Sequence, residues 1–263
     1  MELFDSHTHN GYSRCVKASW TVAEGWSYAK KRGLKALGIT NHVHFNSPRQ
    51  EFLVDLRKEI DCIPRANILL GVELDIDDPG GRIMLKKETL DLLDYVIAGP
   101  HNMPTDSLNF PDITQDEIDE YFVGLRSILV SSLKKGPINV WVHPFYQELH
   151  YGIKFWPKIE PIYAECLEIC ANRGIAIELT EAFSRDVQPI NKQQYPDLAT
   201  FQKELLGIVK KMVVQAAQFP DLEFSLASDA HDLVEVGHLD FPLELIHSID
   251  ALQERLIHVE KKR

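Results

Sequence analysis

Seven short runs rich in β-branched and aliphatic residues, separated by longer stretches of helical period, leave this chain few folds other than consecutive βα units around a parallel sheet. The runs fall at residues 2–6, 34–39, 67–73, 94–99, 138–142, 174–179 and 222–227. Helical periodicity predicts the main helices over 21–33, 49–60, 114–135, 159–173 and 198–218, with a C-terminal helix near 241–258. Local chemistry agrees with these boundaries. Thr21 with Glu24 and Thr114 with Glu117 form capping boxes, and Gly33 and Gly174 stand where C-terminal glycines belong. Asp77-Asp78-Pro79-Gly80-Gly81 is a turn signal that reads as a hairpin excursion. No Pro/Gly/Ser-rich linker divides the 263 residues, so one domain over 1–263 is expected.

The strand ends carry the chemistry. The first run ends in His7 and His9, the second in His42, the third in Glu73, the fourth in His101, the fifth in His143 and the seventh in Asp229-Ala230-His231. Only the sixth, Ile175 to Glu181, ends without a first-choice ligand, in two acids and no histidine; Glu178 reads as a buried structural bond and Glu181 as a neighbour of ligands. In a parallel barrel all C-terminal strand ends share one face, so residues far apart in sequence become neighbours. One histidine at a strand end is more often a hydrogen-bonded, partly buried residue than a ligand, and His44, His150, His238, His247 and His258 stay in that class, with His44 close behind His42. Six histidines and two carboxylates on one face would be an electrostatic liability without cations, and His/Asp/Glu is the donor mix that suits Zn, Mn or Fe.

Composition narrows the partners. A formal charge of −11 argues against general binding to duplex nucleic acid, which depends on Lys and Arg neutralising phosphates. An anionic substrate then needs a local cationic site, and bound metal ions supply one. No segment has the roughly 18 uninterrupted apolar residues of a membrane helix, and the N-terminus lacks a basic-then-apolar leader, so a cytoplasmic location is expected. Four cysteines are too few and scattered for a disulfide framework; Cys166 and Cys170 read as core, and Cys62 as structural.

In their order, His7-Thr8-His9, Thr40-Asn41-His42, Gly71-Val72-Glu73, Gly99-Pro100-His101, Val142-His143-Pro144 and Ser228-Asp229-Ala230-His231 resemble the motifs of polymerase and histidinol phosphatase (PHP) domains, which are metal-dependent phosphoesterases. The resemblance implies a distorted, TIM-like (β/α)7 barrel of the α/β class with up to three metal ions at the C-terminal ends of its strands. By the same resemblance His7, His9, Glu73 and Asp229 hold one ion, Glu73, His101 and His143 a second, and His42, His231 and residue 15 a third. Here the chain departs from the family, whose members commonly have histidine where Cys15 stands. Cysteine ligates as thiolate and favours zinc, so the third site either persists with a changed preference or is weak or empty.

Two divalent ions about 3.5 Å apart, bridged by Glu73, would lower the pKa of a shared water, and the bridging hydroxide would attack phosphorus in line. Asp229 would orient or deprotonate that water. His9 and His231 are alternative proton donors to the leaving group, and Arg14 and Arg185 are phosphate clamps by their guanidinium geometry. Tyr12, Asn102 and Tyr146 follow ligands closely and read as pocket wall. The expected activity is hydrolysis of a small phosphomonoester or nucleotide-type phosphoester using two or three divalent ions. Histidinol-phosphate phosphatase is one alternative, hydrolysis of amides or nucleic-acid ends another, and a non-catalytic, metal-stabilised interaction module a third. Substrate choice is expected in the loops 44–50, 102–113, 145–158 and 183–197; oligomeric state is not legible.

Overall fold

Every predicted strand is present, trimmed to the residues that bond in parallel ladders. In order these are β1 (Phe4–Asp5), β2 (Ala36–Ile39) continuing into β3 (His42–Val43), β4 (Ile68–Leu70) continuing into β5 (Glu73–Asp75), β6 (Ile97–Gly99), β7 (Val140–Trp141), β8 (Ala176–Thr180) and β9 (Phe224–Ala227). The computed structural model describes all residues except 1, 47–48, 102, 104–107, 109–112, 186–188, 190–194, 196, 250–251 and 258–263. The predicted run 67–73 is broken at Gly71-Val72, and past the end of the run 34–39 Thr40-Asn41 separates β2 from a further strand, β3; these breaks divide the strands into two ladders. The first is ordered β1-β2-β4 and the second β3-β5-β6-β7-β8-β9, with every pair parallel. The first and last strands meet where the Ser6 amide donates to Leu226 O at 3.0 Å and where Thr8 bridges Ala230. The fold is thus α/β, with a TIM-like arrangement of parallel strands.

Strand alternation sorts the core. Leu37, Ile39, Ile68, Leu70, Val96, Ala98, Trp141, Ile177, Phe224 and Leu226 lie in the large cluster that includes the helices. The intervening positions Ala36, Leu69, Tyr95, Ile97, Val140, Val142 and Ala176 form a second, smaller cluster, the inside of the barrel. Continuing that inner parity upward along each strand arrives at Glu73 and Glu178, both almost completely buried. Pairing fixes the height: His42 sits in register with Glu73, and Glu73 with Ile97.

Gly38 and Gly71 make room for Tyr95, whose hydroxyl donates to Ser6 O at 2.5 Å. A Cβ at Gly38 would lie 1.9 Å from the Tyr95 hydroxyl and 3.0 Å from Ser6 O. Tyr95 is only 2% exposed and has nowhere to retreat. Gly38→Ala is therefore expected to lower the unfolding free energy by about 1–3 kcal/mol, read as a lower denaturant midpoint at constant m-value.

The helices are α1 (Val22–Lys31), α2 (Phe52–Asp61), α3 (Lys87–Leu90), α4 (Gln115–Lys135), α5 (Tyr146–Tyr151), α6 (Trp156–Arg173), α7 (Ala182–Arg185), α8 (Leu198–Ala217) and α9 (Asp240–Ser248). Both capping boxes form: the Glu24 and Glu117 amides donate to Thr21 and Thr114 hydroxyls at 3.3 Å, and each carboxylate accepts its cap residue's amide at 2.8 Å. Gly33 and Gly174 take φ of +82° and +64°.

Four expectations change. The C-terminal helix ends at Ser248 and a 3-10 turn, Leu252–Arg255, follows it. The turn at 77–81 forms, with the Gly81 amide on Asp78 O at 2.8 Å, but no strand follows it, so there is no hairpin. The short α3, α5 and α7 were not visible as periodicity, because four to six residues span less than two helical turns. Cys62 is exposed beyond α2, whereas Cys166 and Cys170 are buried as expected. Among the described residues no helix is long and apolar enough to cross a membrane.

Candidate metal centre

The opening motif is held by its middle residue. The Thr8 hydroxyl donates to Gly38 O at 2.6 Å, its amide to the Thr40 hydroxyl at 3.2 Å, and the His9 amide to Ala230 O at 2.9 Å. Thr8 is thereby fastened to both neighbouring strands, and His7 and His9 bring their Nε2 atoms to 3.0 Å of each other. From the other strands come His42, Glu73, His101, His143, Asp229 and His231. Glu73 stands at the centre. Its Oε1 lies 2.9 Å from both His101 Nε2 and His143 Nε2, while its Oε2 lies 3.1 Å from His7 Nε2, 3.3 Å from His9 Nε2 and 3.0 Å from His42 Nδ1. Asp229 Oδ1 is 3.6 Å from His7 Nε2 and 3.4 Å from His9 Nε2.

Several imidazoles have their far nitrogen occupied. His101 Nδ1 lies at ion-pair distance from Asp75 Oδ1, 3.1 Å, without a hydrogen bond, while His7 Nδ1 bonds Glu178 Oε1 at 2.7 Å and His231 Nδ1 bonds Asp229 O at 3.0 Å. Proton donation from the bonded nitrogens leaves Nε2 as a lone pair in the neutral ring, the arrangement found behind metal-bound histidine. Glu178 does double duty, since its Oε2 also accepts the His143 amide at 2.9 Å.

The electrostatics show how strongly these carboxylates and imidazoles are coupled. Burial opposes charge on His7, but the carboxylates of Glu73, Glu178 and Asp229 outweigh it and hold the ring well above its ordinary pKa. Burial likewise opposes charge on His101, and Glu73 with Asp75 raises it. His9 is pulled down to about 4 by burial, against Asp229 and Glu73, and His42 is held well below the ordinary value by burial despite Glu73. Glu73 and Asp229 remain charged: burial pushes them up, but the surrounding imidazoles hold both well below the usual carboxylate range. Glu73 Oε2 and His42 Nδ1 are buried and make no hydrogen bond with any described residue, although imidazole nitrogens crowd around that oxygen. A buried carboxylate oxygen left outside any hydrogen bond, with imidazole nitrogens and a second carboxylate converging around it, is what a cation satisfies, so the donor set fits divalent metal.

Four groups of side chains bring ligand atoms within 4.8 Å of one another: His7, His9 and Asp229; Glu73, His101 and His143; His42, Asp75 and His101; and His9, Cys15, His42 and His231. Cys15 thus stands beside the imidazoles, its thiol pushed up to about 11 by burial and by Glu73. The turns that present the ligands are themselves constrained. His143 has φ +29° and Asp229 φ +50°, a region that non-glycine residues seldom occupy. Buried carboxylates hold these turns. Asp5 accepts the Ser228 amide, the Ser228 hydroxyl and the Gly237 amide at 2.7–2.9 Å, and burial pushes Asp5 up to about 6 in spite of them.

A PHP domain match spans residues 5–182, more than half of the chain. The chain belongs to the PHP domain family. Curated relatives of this PHP protein include a probable phosphatase from Proteus mirabilis, 23% identical over 98% of this chain and 91% of the relative. The probable phosphatase YcdX from Escherichia coli is 20% identical with the same coverage. Among solved structures, histidinol phosphate phosphatase from Lactococcus lactis, complexed with zinc, L-histidinol and phosphate, matches with a TM-score of 0.64 at 16% identity, covering 97% of this chain and 94% of that one. A Listeria monocytogenes structure described as a putative histidinol phosphatase matches at TM-score 0.57 and 12% identity, covering 89% of this chain and 97% of that one. These two likenesses support the barrel-like architecture.

Within this PHP fold, all nine residues anticipated as ligands fall into the four groups. The two arginines behave differently. Arg14 lines a cavity that shares His42 with the cluster. Arg185 lies on α7, and its guanidinium donates to Ser228 O at 2.8 Å and Asp229 O at 3.0 Å, so part of its donor fork holds the Asp229 turn. Glu181 accepts the Phe241 amide at 2.9 Å and the Ser184 hydroxyl, which makes it a fastening of α9 and α7. Tyr146 packs against His143 with ring centroids 6.1 Å apart, whereas Asn102 lies outside the described residues. Asp75 was overlooked, yet strand parity could have found it, because Glu73-Leu74-Asp75 places two carboxylates on one face.

Proposed function

We propose that this single barrel domain, residues 1–263, is a metal-dependent phosphatase acting on a small phosphomonoester with two or three divalent ions, Zn, Mn or Fe. The observation that carries the reading is the division of Glu73: one oxygen faces His101 and His143 and the other faces His7, His9 and His42, as a carboxylate bridging two ions would. His9, Cys15, His42 and His231 form a third set, in which Cys15 would ligate as thiolate. The relatives' description as probable phosphatases supports the same chemistry.

When bound, such ions supply hydroxide near neutral pH and neutralise charge on the phosphoryl oxygens. The protein's part is positional. Asp229, whose side chain is 15% exposed against 1% for Glu73, faces the open side and orients the attacking water or takes its proton. His231, stacked on His9 at a centroid distance of 4.5 Å, is placed to protonate a leaving oxygen, whereas His9, held down to about 4 by burial, carries no proton to give near neutral pH. Arg185 holds the Asp229 turn, and Arg14 is placed for phosphate contact from the neighbouring cavity.

Protein purified without chelator is expected to contain two or three equivalents of transition metal by elemental analysis and to hydrolyse an aryl phosphate. A metabolite panel that includes histidinol phosphate then assigns the substrate. No bound metal under any supplementation would overturn the metal centre itself, whereas a metal-loaded protein inert to mono- and diesters would leave the metal-stabilised interaction-module reading in its place. Glu178→Gln keeps the shape of the side chain but removes the carboxylate behind His7 Nδ1. It is expected to weaken metal binding by about 10–100-fold in a chelator competition, with an unchanged far-UV spectrum.

A further inference from the structure

A cavity of about 320 Å³ opens beside His42. One wall is aromatic, with Tyr12 and Phe52 stacked at a centroid distance of 5.7 Å and an interplanar angle of 22°. The imidazoles of His42 and His44, stacked at 4.9 Å and 16°, line it toward the cluster. Arg14 and Arg49 contribute two guanidinium groups, and neither forms a hydrogen bond or ion pair with any described residue. The one carboxylate among the described lining residues, Glu51, sits 3.6 Å from Lys86 Nζ, outside the pair.

In a chain of net charge −11, two arginines left over in one cavity are conspicuous, because carboxylates able to pair with them are abundant. Guanidinium groups present planar donor forks matched to carboxylate and phosphate, and an aromatic wall suits a flat apolar body. His42 belongs both to this cavity and to two of the ligand groups, so a molecule held at the cluster by its phosphoester extends directly into it.

We propose that this cavity is a specificity subsite for a second anionic group, carboxylate or phosphate, carried by the substrate on a flat apolar body, with Arg49 as its principal contact. The inference rests on the phosphatase reading above and sharpens it to phosphomonoesters that bear a further negative charge.

A matched aryl series tests it on the metal-loaded protein: phenyl phosphate, 3- and 4-carboxyphenyl phosphate, their neutral carbamoyl counterparts, and 1,3- and 1,4-phenylene bisphosphate. A carboxylate or second phosphate is expected to raise kcat/KM over the carbamoyl analogue by about tenfold or more, mainly through KM, the size of one charge-assisted hydrogen bond. Preference between the carboxylate and bisphosphate arms identifies the second anion. Arg49→Ala, a change at an exposed side chain, is expected to lower that ratio by a similar factor. Turnover of phenyl phosphate with a flat ratio, or a ratio that Arg49→Ala leaves intact, overturns the subsite and leaves the phosphatase reading standing. No turnover of any member overturns both.

Discussion

Glu73→Gln is expected to remove metal and activity together. The substitution keeps the volume of a side chain that is 1% exposed, but it replaces an oxygen facing several imidazole nitrogens with an amide that has hydrogens to place among lone pairs. It also withdraws the negative charge shared by both halves of the cluster. Charge stabilisation by metal at a phosphoryl centre is worth several kcal/mol. At about 1.4 kcal/mol per factor of ten, kcat/KM on an aryl phosphate should fall by about 10³ or more. Elemental analysis should show fewer than one equivalent of tightly held ion, and circular dichroism should show the native helix content. A variant that retains its full complement of metal and turns over within tenfold of the parent would contradict the bridging position of Glu73.

Asp229→Asn is expected to separate metal binding from chemistry. Asp229 touches His7 and His9 from the exposed side of the site and is one donor among several there. The amide preserves an oxygen for ligation but cannot take a proton from water, so kcat should drop by about 10²–10⁴-fold while most of the metal stays bound. The turn itself is secured independently by Arg185 on the carbonyls of Ser228 and Asp229 and by Asp5 on Ser228, so the fold should be retained. Loss of metal in proportion to activity would make Asp229 a ligand only. Unchanged kcat would remove it from the reaction altogether.

The parts of this molecule that were legible in the sequence follow periodic rules. Strand parity, capping boxes and the placement of polar residues just past apolar runs are local signals, and parallel topology converts them into convergence at one face. His7, His9, His42, Glu73, His101, His143, Asp229 and His231 could therefore be gathered without coordinates. What escaped has no local period. Glu178 was legible as a buried bond and Asp75 lay within reach of strand parity, but which ligand each one backs, His7 and His101, depends on pairings between strands distant in sequence. Arg185 offers a guanidinium at a strand end, a good signal for phosphate contact, but the sequence does not tell that part of its fork is taken by carbonyls of a turn more than forty residues away. Arg49 follows two residues outside the described set and carries no motif, and only the cavity it shares with Tyr12 and Phe52 makes it conspicuous.

The seam between β1 and β9 ties architecture to chemistry. It carries a single described ladder contact and one amide bond to Leu226, far fewer than β8 and β9 share. The closure is completed by side chains: Ser6 against Ser225, Asp5 against Ser228 and Gly237, and His7 and His9 against Asp229. The last of these pairs belongs to the proposed active centre. At this edge the proposed catalytic groups also join the first strand to the last, so substitutions that retune the chemistry and substitutions that loosen the seam draw on the same few residues.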